Sequence, residues 1–386
     1  MRTPLVSIVV NNYNYGRFLH DAIESAINQT YSNVEVIVVD DGSTDDSREI
    51  ISQYAEKGQV VPVFKENGGQ ASAFNAGFKV SRGEVIIFLD ADDILLPHCV
   101  AKALEAWTPS CTKVQWRMAL VDQEKKLLGR VWPPLYQPML SGNLQDLVFR
   151  WCYYPTPPTS GNAFSRWFLE SVLPMPEAEW RIDADSYLLI LAATRGEIQS
   201  IDSILSLYRV HGTNLWFNEK GDQKKLERIL KTDLKKEELV RAEGKRIGYS
   251  GRIGASPAVL KLRLFFCLQA PNKIEKLELT CNKIHLALNG VLASIFYPFG
   301  PGGWFGRAVQ ALWFVSVSIL PSRWTKRWMQ WAIAPIHRPS WLLRLLGLGG
   351  GVSVDAPTAK ARGILGLITR LKGKYSRQSG GRNVQK

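Results

Sequence analysis

The run Val34-Glu35-Val36-Ile37-Val38-Val39-Asp40-Asp41-Gly42-Ser43 decides the fold. Its first part is almost wholly β-branched, as in a strand buried on both faces of a parallel sheet. The change to Asp-Asp-Gly-Ser ends that strand in a turn. Upstream, Leu5–Val10 is a second such run, and Phe18, Leu19, Ala22, Ile23, Ala26 and Ile27 then recur at helical spacing. Downstream the two periods keep alternating. Thr44–Ala55 reads as a helix, Val60–Phe64 as a strand, Ala71–Val80 as a helix and Val85–Leu89 as a strand. Pro97–Trp107 reads as another helix, with Pro in its first turn. The alternation predicts an α/β domain with a mostly parallel central sheet.

Such sheets bind ligands beyond the carboxyl ends of their strands. Two of those ends carry Asp40-Asp41 and Asp90-Ala91-Asp92-Asp93. Five carboxylates gathered there repel one another unless a cation or a hydrogen-bonding ligand intervenes. Hard oxygen ligands suit Mg²⁺ or Mn²⁺, and such a metal would bring a diphosphate with it. The alternative for Asp40–Ser43 is a cap for the helix that follows.

Residues 113–131 read as a hairpin, with Val114–Val121 and Leu127–Val131 as its arms. Residues 132–160 are rich in Pro and aromatics and read as a substrate-side loop. Asp183–Thr194 is a helix candidate, and Ile198–Val210 is strand-like. The 386-residue chain has a formal net charge of +13, unevenly spread. Residues 1–110 carry −7, residues 111–219 carry −1 and residues 220–386 carry +21. An acidic first half argues against a chain that binds nucleic acid throughout, and no nucleic-acid-binding motif occurs. The five cysteines are scattered without CxxC or zinc spacing, which fits a reducing compartment rather than a disulfide scaffold. The N-terminus shows no signal-peptide pattern, and no run of 18 or more apolar residues suggests a membrane span.

Several motifs stand in one order. They are Val6–Val10, Tyr13-Asn14, Gln29-Thr30-Tyr31, Glu35–Asp45, Asn67-Gly68-Gly69, Asn75-Ala76-Gly77, Gly83-Glu84 and Leu89–Asp93. Together they resemble the family 2 glycosyltransferases of GT-A fold, closely over residues 5–107 and more loosely over 155–215. The resemblance implies a Rossmann-like nucleotide-sugar-binding domain, a nucleotide-sugar donor with a lean to UDP, and Mn²⁺ or Mg²⁺. Asp41 matches the carboxylate that hydrogen-bonds the nucleobase, with Asp40 beside it and Asn11 and Tyr13 lining the same pocket. Asp90 and Asp92 match the outer positions of the DxD motif. By that match Asp92 binds the metal, and Asp90 binds the ribose or the metal's water shell. Asn75 is retained, as a donor contact or as packing of its turn. The family often has Pro where Asn11 stands and Arg where Phe74 stands.

An inverting transferase needs a base for the acceptor hydroxyl. The family's Glu-Asp pair corresponds to Ala184-Asp185, so Asp185 matches the base. Asp183 either replaces the missing Glu or caps the helix. His211, after Leu207-Tyr208-Arg209-Val210, matches a loop histidine that reaches the metal or diphosphate, and its alternative is a structural role. Arg209 is a candidate phosphate donor. Gly161–Phe164 falls where the family shapes the acceptor side. Trp151, Tyr153 and Tyr154 stack on sugars or pack as core.

The expected organisation is a catalytic domain over 1–219, with a donor half at 1–110 and an acceptor half at 111–219. A basic helical region follows at 220–349, and a flexible basic tail at 350–386. Trp304, Trp313, Trp324, Trp328, Trp331 and Trp341, among Arg307, Arg323, Lys326, Arg327 and Arg338, suit an anionic membrane surface. An ordinary packed helical subdomain is the alternative. The expected enzyme works at the cytoplasmic face of a bacterial membrane, on a glycan or lipid-linked acceptor, in surface polysaccharide or glycolipid assembly. A processive synthase is disfavoured, because no QxxRW motif occurs. A reading from another class is a non-catalytic nucleotide- or glycan-binding protein with a degenerate transferase fold.

Overall fold

The computed structural model describes residues 3–212, 214, 222–269, 282–300, 303–320, 324–325 and 328. The chain divides into two compact units, Met1–Arg338 and Pro339–Lys386. The second unit lies outside the described residues, as do the expected tail and Arg323, Lys326, Arg327, Trp331, Arg338 and Trp341.

The first half follows the predicted alternation. It runs β1 (Val6–Asn12), α1 (Gly16–Ile27), β2 (Val34–Asp41), α2 (Ser47–Glu56), β3 (Val61–Lys65), α3 (Gln70–Val80) and β4 (Val85–Asp90). Next come β5 (Ile94–Leu95), α4 (Cys99–Glu105) and the hairpin β6 (Cys111–Val121) and β7 (Leu127–Trp132). The second half adds β8 (Gly142–Asn143), α5 (Gln145–Trp151), β9 (Asn162–Ser165), α6 (Arg166–Val172), α7 (Ala184–Arg195) and β10 (Glu197–Arg209). Among the described residues the sheet order is β3-β2-β1-β4-β9-β6-β10-β5. Strands β3, β2, β1 and β4 are parallel neighbours, and β10 is parallel to β6. The reversed strand β9 joins these two halves, antiparallel to β4 and to β6.

Both faces of the sheet are covered. Val6, Ile8 and Val10 point to a core shared with α1, α2 and α4, whereas Val9, Ile37, Val39 and Phe88 point to a core shared with α3, α6 and α7. The period of two in the strands thus divides one apolar run between two cores. Each such side chain contributes about 1.5–3 kcal/mol when fully buried. Helix α3 lies close to the sheet at Gly77, where a Cβ would meet Val9 Cγ1 at 2.3 Å.

The stretch 132–160 is more than a loop, because it contains β8 and α5. Trp151 and Tyr154 are buried, and Tyr153 packs near Tyr297 and Phe299. These aromatics pack as core and offer no sugar-stacking face. Cys99, Cys111 and Cys152 are free, whereas Cys267 is disulfide-bonded, which the scattered cysteine set did not suggest.

The basic region is helical, as expected: α8 (Gln223–Arg246), α9 (Pro257–Gln269), α10 (Lys283–Phe296) and α11 (Gly303–Ile319). Asp222 caps α8 by accepting from the Lys224 and Lys225 amides. Helix α8 packs on α7, where Glu243 accepts from Arg195 at 2.7 Å and from Arg246 at 2.9 Å. Burial alone would raise the Glu243 carboxyl, but hydrogen bonds from Arg195 and Arg246 outweigh it and hold the pKa below its ordinary value. A depressed carboxyl stabilises the fold above its unfolded pKa, and the contribution is lost as pH falls through the folded value. Arg195→Ala should therefore cost about 1 kcal/mol near neutrality, a figure discounted for solvent screening. Urea unfolding at two pH values checks this: the wild-type advantage should shrink in acid.

Candidate active site

Strand register assembles the site. Asn12 lies opposite Asp40 and Asn11 opposite Asp90, so the carboxyl ends of β2, β1 and β4 form one edge. Asn11 Nδ2 donates to Asp90 Oδ1 at 2.7 Å, and Asn12 Nδ2 to Asp40 Oδ1 at 3.1 Å. Asp40 is fully buried and also accepts from Arg48 Nε at 2.8 Å and from the Ser43 amide at 3.1 Å. Its carboxylate therefore shapes the turn but does not cap the following helix, whose N-cap is Asp46. Asp41 sits in a nest of donors: Lys65 Nζ at 2.6 Å, Asn67 Nδ2 at 3.1 Å, and the Gly68 and Gly69 amides at 2.9 and 2.7 Å. Gly69 adopts φ +88°, and a Cβ there would lie 2.4 Å from the Arg181 carbonyl oxygen, so only glycine serves. Beside this nest is an open cavity of about 530 Å³, lined by residues including Gly42, Arg48, Phe64, Lys65 and Asn67. That volume suits a small-molecule ligand. Tyr13 follows β1 and is exposed.

The Asp90–Asp93 segment gathers three carboxyl groups. Burial, then the Asp92 charge, pushes the Asp90 carboxyl up to about 7. The same two causes lift Asp93 well above its ordinary range, and Asp93 accepts from the Arg209 amide at 3.0 Å. Asp92 Oδ2 lies 2.9 Å from His211 Nε2, so the two expected metal-side residues are in direct contact. The His211 ring is buried and packs edge-on to Tyr15, with Phe18 at 5.1 Å. Asp92 Oδ2 and His211 Nε2 are an oxygen and an imidazole nitrogen suited to Mn²⁺ or Mg²⁺, in a cluster whose carboxylates repel one another. The pair therefore fits a divalent cation. Among the described residues no group of three or more His, Cys, Asp or Glu side chains is arranged to hold a metal ion by itself.

Asp185 opens α7, and its carboxylate accepts from the Thr159 amide at 3.2 Å and the Ser186 amide at 2.8 Å. Thr159 also ties this helix to Asp90. Gln70 Nε2 lies 3.4 Å from both Thr159 Oγ1 and Asp90 Oδ1, and Gln70 Oε1 accepts from the Ala184 amide at 3.0 Å. The Asp90 amide in turn donates to Ser160 Oγ at 3.1 Å. The expected base and the expected DxD residues therefore share one hydrogen-bonded frame. Asp183 has φ 74° and no capping hydrogen bond, so the cap alternative fails. Burial, with Asp185 nearby, pushes its carboxyl up to about 8 against the opposing charge of Lys236.

Two expected donor contacts are occupied elsewhere. Asn75 donates to the Met175 carbonyl and to Glu177 and accepts from the Met175 amide, which is the packing role. Arg209 is buried, and each guanidinium nitrogen donates within the chain: to the Asp92 carbonyl, the Gln123 carbonyl and Asp21. It braces the segment leading to His211 instead of facing solvent.

The sequence reading passed over Gln70, Thr159 and Lys113. Lys113 is wholly buried, and its Nζ donates to Thr156 Oγ1 at 2.8 Å and Asn162 Oδ1 at 2.7 Å. Asn162 Nδ2 then donates to the Pro158 carbonyl at 2.8 Å, fixing the turn that carries Thr159. Burial holds the Lys113 amine well below its ordinary pKa. Lys113→Met would strand the buried Asn162 Oδ1 and the half-buried Thr156 Oγ1 and should cost about 1–3 kcal/mol in equilibrium unfolding. Unchanged stability would show that the turn is held by other contacts.

Known proteins define the class. Residues 7–148 match the family described as glycosyl transferase family 2. An uncharacterized glycosyltransferase of Nostoc sp. is 39% identical over 216 residues, covering 54% of this chain and 66% of that protein. The hyaluronan synthase of Pasteurella multocida is 30% identical over 229 residues, covering 58% of this chain and 22% of that protein. The structure of S. aureus TarS 1-349 in complex with UDP-GlcNAc superposes with a TM-score of 0.51 at 14% identity, over 81% of this chain and 90% of that one. At that identity the likeness is one of fold, of GT-A type. Residues 7–148 form a family 2 glycosyltransferase domain, and the chain spans only part of the length of these curated relatives.

Proposed function

We propose that the protein is a metal-dependent, inverting glycosyltransferase. It moves a sugar from a nucleotide-sugar donor, a UDP-sugar in first place, to a glycan or lipid-linked acceptor. The setting is surface polysaccharide or glycolipid synthesis at the inner face of the plasma membrane. One observation carries this reading: the Asp92–His211 contact and Asp185 stand on a single frame through Asp90, Gln70 and Thr159. The polysaccharide synthase among the relatives, and the UDP-GlcNAc named for TarS, agree with the donor class.

In this account Asp41 and the cavity beside it take the nucleoside, and Asp90 accepts a ribose hydroxyl. Asp92 and His211 would hold Mn²⁺ or Mg²⁺, which when bound would neutralise charge on the departing nucleoside diphosphate. Asp185 takes the proton from the acceptor hydroxyl as that oxygen bonds to the anomeric carbon and the carbon–phosphate oxygen bond breaks. The Thr159 amide holds Asp185 in place for that step.

Thermal unfolding with a panel of nucleoside diphosphates tests donor recognition. One member should raise the melting temperature with Mn²⁺ and do so far less without it. Saturation at about a hundred times Kd would stabilise the fold by about 2.7 kcal/mol. No shift with any nucleotide, with or without metal, would overturn the reading.

A further inference from the structure

Helices α10 and α11 are apolar on both sides. Their inner sides pack together and onto α9, with Leu286, Trp313, Phe314 and Val317 buried. The approach is close: a Cβ on Gly290 would fall 2.2 Å from the Phe314 ring. The outer side of a surface helix is ordinarily polar. Here α10 presents Ile284, Leu288, Leu292 and Ile295 to solvent, a stripe at helical spacing opposite its buried side. On α11 the corresponding stripe is Trp304, Leu312, Val315 and Ile319, with Trp304 79% and Ile319 77% exposed. Exposed apolar stripes of this kind mark an interaction site.

We propose that these exposed apolar stripes dock onto an anionic lipid bilayer at its interface. The occupant is chosen by charge. No Asp or Glu occurs between Glu278 and Asp355, a span that holds seven Lys and Arg residues. Among these, Lys283 opens α10 and Arg307 lies on α11, both half-buried, and the other five lie outside the described residues. A basic, carboxylate-free stretch of sequence that carries exposed apolar stripes and an exposed Trp complements anionic headgroups over an acyl boundary. A second copy of the chain is a poor occupant, since a twofold contact would set this positive stretch against itself. Crossing the bilayer is excluded by length for the described helices, none of which is long and apolar enough. Helix α11, with 17 residues, would reach only about 26 Å. This face supplies a seat for the membrane setting of the proposed function, and it would bind vesicles whether or not the chain transfers sugar.

Vesicle flotation of the full chain tests it, with phosphatidylcholine alone against phosphatidylcholine mixed with phosphatidylglycerol. The chain should float with the anionic vesicles, less so at high salt, and stay behind with the neutral ones. The Leu288→Glu, Leu312→Glu double variant should reduce the bound fraction about tenfold or more. Both positions are exposed, so its unfolding curve should match the wild type. Arg307→Glu provides a second variant that leaves the apolar stripes intact, and it should weaken binding mainly at low salt. Equal flotation of wild type and double variant would overturn the proposal. So would a wild-type dimer that the double variant dissociates while neither form binds vesicles. Nucleoside diphosphate release by the same variants in solution separates the two claims. Release with lost flotation supports the docking face, and flotation without release in the wild type counts against the transferase reading alone.

Discussion

Asp92→Ala should lower sugar transfer by about a thousandfold without unfolding the protein. The size follows from the chemistry assigned to the position. Stabilising the leaving diphosphate is worth several kcal/mol, and each 1.36 kcal/mol is tenfold in rate. Asp92 is in direct contact with His211, the other residue proposed to hold the metal. The fold itself should not suffer. Asp92 adds to the charge that raises Asp90 and Asp93, so removing it relieves repulsion in a buried cluster. The melting temperature should stay level or rise while activity collapses. A purely structural Asp92 would show the reverse, with stability lost and specific activity of the folded fraction retained.

The second large effect is expected at Asp185. Asp185→Asn keeps the shape but has a single acceptor oxygen, so it retains one of the two amide contacts, from Thr159 or from Ser186, and it is a far weaker base. Loss of a positioned general base commonly costs about 10²–10⁴ in rate. The fall should appear in kcat, with the donor KM little changed, because Asp185 faces the acceptor step and not the nucleoside pocket. A rise in donor KM with kcat retained would place Asp185 in donor binding and remove it as the base.

Much of the donor half was legible because its signals are local. Each β-branched run reads as a strand without knowledge of its neighbours, and the acids of Asp40–Asp41 and Asp90–Asp93 stand where the runs stop. The second half was harder. Strand β9 is four residues long, follows a Pro-rich stretch and pairs antiparallel with two distant strands, so no periodicity announces it. Helix α5 was hidden in the same stretch. Lys113 reads as a surface charge in sequence, and only the packing of β6 between β9 and β10 buries it.

Side-chain roles divide in the same way. Asp92 and His211 were paired in expectation and are in contact. Arg209 looked like a phosphate ligand from its place beside His211, but its partner Asp21 lies 188 residues away and could not be seen from the motif. Asn75 shares this history, since its amide is engaged by Met175 and Glu177, about a hundred positions later. Motif matching locates a residue in the fold, whereas long-range hydrogen bonds decide whether its polar atoms remain available to a ligand.

The central claim is metal-dependent turnover of a nucleotide sugar at the Asp92–His211 edge. Its most direct test is nucleoside diphosphate release from a panel of donors with Mn²⁺, repeated after chelation with EDTA, after Mn²⁺ is restored, and with Asp92→Ala. The account predicts release from at least one donor, loss on chelation, recovery on restoration and near-complete loss in the variant. Undiminished release in EDTA and in Asp92→Ala would contradict it.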